Sequence, residues 1–218
     1  MNTQLKSSLI ILASLLLTIS TASYKADEFS YSSSITLASQ YLFRGFDMTQ
    51  ENPAIQGDYV ISHESGFWFG AWGSNYDLDF DDGVEIDLIA GYDLALSSDV
   101  TLTLGMTEYT YTGEVDSSTE FYLTLAYSYF SFTYNDDIDL DTTYISLDAE
   151  FPLTEQLNLA LHLAEYDYED TASNRDYNAS LVYSVNDKLS VFATYSSNDI
   201  DEDGAEDYVV LGVNYSFY

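Results

Sequence analysis

From Ser30 onward, large apolar residues return at every second position, the spacing that lays them along one face of an extended strand. The cleanest run sets Val84, Ile86, Leu88, Ala90, Tyr92 and Leu94 against Glu85, Asp87, Gly91 and Asp93. Another sets Leu157, Leu159, Leu161 and Leu163 against Asn158, Ala160, His162 and Ala164. The same alternation marks runs near 54–64, 67–77, 100–107, 120–127, 130–135, 143–151, 176–185, 189–196 and 207–218. In the first run Ile35, Leu37, Tyr41 and Phe43 share a face, and the polar stretch Asp47–Pro53 follows as a loop. Only the third run is ambiguous, because Phe67 and Phe69 fall on one parity and Trp68 and Trp72 on the other, which suits a bulge or an aromatic belt. Together these make about twelve strands, an even number, each about ten residues long, enough for a tilted crossing of a bilayer.

The last run carries Val209, Leu211, Val213, Tyr215 and Phe217 on one face and Val210, Gly212, Asn214 and Ser216 on the other. A terminal strand this apolar would be a docking edge unless it pairs back on the first strand, and closure removes the edge. The connections also sort. Those after even strands are short, such as Ser65-Gly66 and Asn186–Lys188, while those after odd strands are acidic and longer, such as Gly113–Ser118 and Asp199–Glu206. The expected fold is therefore all-β, an antiparallel transmembrane β-barrel of about twelve strands closed by the C-terminal strand. A soluble β-sandwich with a buried edge strand is the alternative.

Targeting agrees with the barrel. Lys6, the apolar run Leu9–Leu17 and the small residues from Thr18 to Ser23 form a secretory signal peptide, with cleavage expected after Ala22 or Ser23. That leaves 24–218 as a single domain in which no apolar stretch is long enough for a membrane-spanning helix. Five Lys and Arg against 37 Asp and Glu give a formal net charge of −32, which excludes a nucleic-acid surface. With no cysteine there is neither a disulfide framework nor a thiolate site.

Ser39-Gln-Tyr-Leu-Phe-Arg-Gly45, Asn52-Pro-Ala-Ile-Gln-Gly57, Ser62-His-Glu-Ser-Gly66 and Ala71-Trp-Gly-Ser-Asn75, continued by Glu85-Ile-Asp-Leu-Ile-Ala-Gly-Tyr92, resemble the TorF family of porins. Over the first third of the mature chain the likeness is in these motifs; beyond it, in the strand pattern. It implies an outer-membrane channel with no catalytic residues and no cofactor. Expected partners are outer-membrane lipids and lipopolysaccharide, small solutes or cations, and the barrel-assembly machinery through the C-terminal strand.

Candidate chemistry lies on the polar parity. Asp58, Glu85, Asp87, Asp93, Glu120, Asp148, Glu150 and Asp176 would face the lumen with His162, and carboxylates at a constriction attract cations and reject anions. A cation-preferring pore is thus expected; a packed, non-conducting structural or adhesive barrel is the alternative. Arg44, assigned to the polar parity of the first strand, is expected to latch that strand to an inward acid. Asp199, Asp201 and Asp203 ahead of Gly204 match the first half of a calcium loop, but Val210 stands where the bidentate Glu belongs, so these are weak metal candidates. An outer-membrane hydrolase would need a serine meeting His63 or His162 in space; neither lies in a nucleophile motif.

Overall fold

The computed structural model describes residues 24–26, 28–168, 173–201 and 204–217. Residues 1–23, the expected signal peptide, lie outside them. Among the described residues, twelve long strands form one closed antiparallel sheet. They are β1 (Phe29–Ala38), β2 (Ala54–His63), β3 (Phe67–Asp77), β4 (Asp82–Ala95), β5 (Val100–Tyr111) and β6 (Ser118–Tyr127). The circuit continues with β7 (Phe130–Asp137), β8 (Thr142–Pro152), β9 (Leu157–Tyr168), β10 (Asn174–Ser184), β11 (Leu189–Asp201) and β12 (Gly204–Ser216). Each strand pairs with the next, and β12 pairs with β1 from Gly212 opposite Ala38 to Ser216 opposite Ser34. The seam is extended by the amide of Ser39 donating to the Leu211 carbonyl at 2.8 Å and that of Phe217 to the Ser33 carbonyl at 3.0 Å. No edge of the long-strand circuit is left unpaired, which is what a sheet in hydrocarbon requires.

Alternation separates two environments. Leu88, Leu104, Leu147, Leu163 and Leu211 point outward and are exposed, while their chain neighbours point inward and are largely buried. A belt of exposed leucine around a closed sheet is stable against lipid and not against water. Outward aromatics collect at the end where β1 begins and β12 ends: Phe67 meets Tyr92 with ring centroids 4.6 Å apart, and Phe130 meets Phe151 at 5.8 Å. Toward the other end the outward face becomes polar, with Glu165 and Arg175 paired at 2.8 Å, so the strands continue past the apolar band into water.

Three expectations need correction. The first strand ends at Ala38, and Tyr41, Phe43 and Arg44 are not part of it; they belong to the connection 39–53, which carries a short hairpin of Leu42–Phe43 and Phe46–Asp47. In the third run there is no bulge: its register with β2 and β4 is continuous, Trp68 and Trp72 point inward, and Phe67 and Phe69 point outward. Of the acidic segments placed in loops, 199–206 is mostly strand, while 78–81, 112–117 and 138–141 do connect strands. β11 runs to Asp201 and β12 starts at Gly204, with an irregularity in register between Asn198 and Asp201, and among the fully described connections only 39–53 is much longer than the turns at the opposite end. Backbone pairing does not stop where side chains become polar, which is why apolar patterning understated strand length.

Candidate lumen site

The connection 39–53 folds into the barrel. At its tip Arg44 and Gly45 have φ of 52° and 85°, the two positive values of a type I′ two-residue turn, flanked by the Phe43 and Phe46 pair. Glycine takes this conformation freely; arginine at positive φ is strained and must be held by its surroundings. They hold it firmly. The Arg44 Nη2 donates to Glu120 Oε2 at 2.6 Å, and both side chains are almost completely buried. The guanidinium carbon lies 4.2 Å from the centroid of the Tyr144 ring, 4.9 Å from Phe43 and 5.3 Å from Tyr166. The Gly45 carbonyl accepts from Asn198 Nδ2 at 2.8 Å, and Phe43 packs edge-on against Tyr109 at 5.7 Å. A latch to an inward acid was expected of Arg44; its acid is Glu120, and the part latched is the in-folded hairpin rather than β1.

From Glu120 the contacts spread around the wall. Tyr109 donates its hydroxyl to Glu120 Oε1 at 3.1 Å, and Tyr144 donates to Asp176 Oδ2 at 2.9 Å. His162 bridges two carboxylates, Nδ1 lying 2.5 Å from Asp148 Oδ1 and Nε2 lying 3.1 Å from Asp176 Oδ1. The hydroxyl of Tyr111 reaches Glu85 Oε1 at 3.0 Å, and Ser34 donates to Asp58. Asp87 is buried beside Glu85, Glu150 is approached by Asn158 Nδ2 at 3.4 Å, and Asp93 accepts from the Thr103 hydroxyl at 2.7 Å. Arg44, Asp58, Glu85, Asp87, Asp93, Glu120, Asp148, Glu150, His162 and Asp176 therefore all lie inside the barrel, with Arg44, Glu120, Asp148, His162 and Asp176 linked through Tyr109 and Tyr144.

Sequence reasoning missed the aromatic half of this layer, Tyr41, Trp72, Tyr109, Tyr111, Tyr144 and Tyr166. Tyr144 fell on the polar parity of its run, and Tyr109 and Tyr111 carry the inward parity of β5 past the stretch read as strand. That placement was the available signal.

Of the weak metal candidates, Asp199 and Asp201 are strand rather than loop. Asp199 lies in β11 and accepts from the Arg175 amide; Asp201 ends the strand, its side chain outside the described residues, and Asp203 lies wholly outside them. His63, in contrast, does meet a serine. Its Nδ1 is 2.7 Å from Ser65 Oγ, and Nε2 is 3.3 Å from Glu28 Oε2, a serine–histidine–carboxylate line on the outer surface. An acyl hydrolase also needs amides free to hold the oxyanion. Here the Ser65 amide donates to His63 Nδ1 at 3.1 Å and the Gly66 amide to the His63 carbonyl at 3.0 Å, so the group caps a tight turn.

The Gcw_chp family, described as a bacterial protein of unknown function, matches residues 22–215. The chain belongs to this family. No curated protein sequence matches it. Among solved structures, a KdgM porin superposes with a TM-score of 0.66 at 12% identity, covering 86% of this chain and 99% of the porin. A KdgM porin in complex with disordered oligogalacturonate gives 0.64 at 10% identity, over 86% and 99%. A NanC porin gives 0.62 at 12% identity, over 84% and 98%. At such identities the likeness shows a shared fold: this Gcw_chp chain is a porin-like barrel, and the contents of its lumen are its own.

Proposed function

We propose that this protein is an outer-membrane channel of the porin type for passive diffusion of small solutes, preferring cations. The resemblance to TorF porins and the porin fold support the class and the location. The cation preference rests on one observation: among the described residues the inner wall carries at least nine carboxylates, Asp58, Glu85, Asp87, Asp93, Glu120, Asp137, Asp148, Glu150 and Asp176, against Arg44 and His162. Charged rings inside a low-dielectric wall focus the field along the pore axis, so cations are concentrated and anions excluded. Oligogalacturonate, held by a KdgM porin, is an acidic chain; this wall would repel it and suits neutral or cationic solutes instead. Lipid and lipopolysaccharide would meet the leucine belt and polar rim, and the C-terminal strand would be read by the barrel-assembly machinery.

A second reading has its own support. The in-folded hairpin fills part of the lumen, and Arg44, Glu120 and Tyr144 are buried, so a barrel packed shut, serving structure or adhesion, fits that feature. Refolded mature protein in a planar bilayer under a KCl gradient separates the two. The channel reading expects discrete conductance with a reversal potential toward the K⁺ equilibrium value. Anion selectivity would overturn the cation preference, and silence at every voltage would overturn the channel.

A further inference from the structure

Among the described residues, the cationic side chains of the aromatic layer, Arg44 and His162, lie with Glu120, Asp148 and Asp176. Around Arg44 the arrangement is a carboxylate, Glu120, together with rings stacked on a guanidinium. Glu85 and Asp87, consecutive inward positions of β4, repeat the acidic half of that arrangement. They are 0% and 7% exposed. Glu85 receives the Tyr111 hydroxyl on Oε1, but Glu85 Oε2 and Asp87 Oδ1 are buried and meet no hydrogen-bond partner among the described residues. Aromatic rings surround the pair. Tyr111 stands opposite Glu85 in the register of β5, Tyr109 and Trp72 stand opposite Asp87 from either side, and Tyr41 packs on Trp72 with centroids 5.4 Å apart.

Two buried carboxylates side by side with unmet oxygens must be neutralised, by a proton shared between them or by a cation. A divalent metal is a poor fit. Calcium takes six to eight oxygen ligands, and no cluster of three or more His, Cys, Asp or Glu suited to a metal occurs among the described residues. An ammonium group needs less: the two unmet carboxylate oxygens can accept two of its N–H bonds, and the neighbouring aromatic side chains suit its charge.

We propose that Glu85 and Asp87, walled by Tyr41, Trp72, Tyr109 and Tyr111, form a binding station for the ammonium group of a small organic cation. This deepens the cation-preferring channel and rests on it for the route by which the solute arrives.

The test uses the full mature protein refolded in detergent micelles at neutral pH. The chain has two tryptophans; Trp68→Phe leaves Trp72, beside the pair, as the sole indole reporter. Titration with ethylammonium chloride at constant ionic strength is expected to give a saturable change in Trp72 emission. Asp87→Asn and Glu85→Gln should each weaken it at least tenfold, and Glu155→Gln, in an exposed turn, should leave it unchanged. An unsaturable response, a response equal in Asp87→Asn, or saturation by CaCl₂ at lower concentration than by ethylammonium overturns the station. Micelle binding requires no conduction, so the two readings fail separately. A cation-selective barrel without saturable binding refutes the station alone, whereas a silent barrel that binds ethylammonium refutes the channel alone.

Discussion

Replacing Arg44 with methionine tests whether a single buried ion pair keeps the hairpin inside the barrel. Methionine preserves much of the apolar stem but removes the charge opposite Glu120, whose side chain is 1% exposed. Breaking a buried pair by deleting one partner costs about 3–5 kcal/mol, because the remaining charge is stranded in low dielectric. The loss of the guanidinium from the faces of Tyr144, Phe43 and Tyr166 adds about 1 kcal/mol, and the Tyr109 hydroxyl that stays on Glu120 offsets a similar amount. A net loss of about 3–5 kcal/mol is expected, roughly a hundredfold to a few thousandfold shift in the docking equilibrium. In a Trp68→Phe background, Trp72 senses docking through its contact with Tyr41, so its emission should shift to the red in Arg44→Met, and single-channel conductance should rise. Removing both charges in Arg44→Met/Glu120→Gln should restore most of the loss in urea unfolding, with a coupling of about 2 kcal/mol or more. If Arg44→Met changes stability by less than about 1 kcal/mol and leaves conductance as it was, the pair does not hold the hairpin.

Three further outcomes follow from the geometry. A Cβ added at Gly105 would lie 2.1 Å from the Tyr122 ring, so Gly105→Ala should displace that ring and destabilise the barrel by about 1–3 kcal/mol in urea titration; a neutral result would mean that the lumen is loosely packed there. Leu161→Arg puts a cation halfway along the outward face of β9 and should cost about 2–4 kcal/mol in lipid vesicles, whereas a free substitution would show that this face does not meet hydrocarbon. In the loop after β3, the Tyr76 hydroxyl, at 2.6 Å, and the amides of Glu114 and Val115 donate to Asp81, holding its carboxyl below the usual value of 3.8. A depressed folded value means that the contact stabilises at any pH above the ordinary carboxylate range and is lost only as pH falls through the lowered value. Amide exchange at Glu114 should accordingly stay protected at pH 4 and rise in stronger acid, and Asp81→Asn should remove that acid step.

The alternation of the sequence was enough to decide the fold. Whether Leu88 or Asp87 faces out is set by a period of two, a local property of the backbone, and a chain with many such runs and a final run able to close the circuit has few other ways to satisfy its main-chain groups. The same parity assigned Glu85, Asp87, Glu120, Asp148 and Asp176 to the inside. What parity could not convey was where an apolar residue finds its partner. Tyr41 and Phe43 continue the outward pattern of β1, yet they turn into the lumen, because Tyr109, Tyr144, Tyr166 and Trp72 make an aromatic surface there that only the closed barrel assembles. Trp68 and Trp72 could be assigned to a face only once β2 and β4 fixed the register of the strand between them. Arg44 and Glu120 are 76 positions apart and belong to runs with no local relation, so their contact exists only in three dimensions. Periodicity is written residue by residue; the pairing of buried charges depends on the depth at which distant segments meet, which is decided by closure of the sheet.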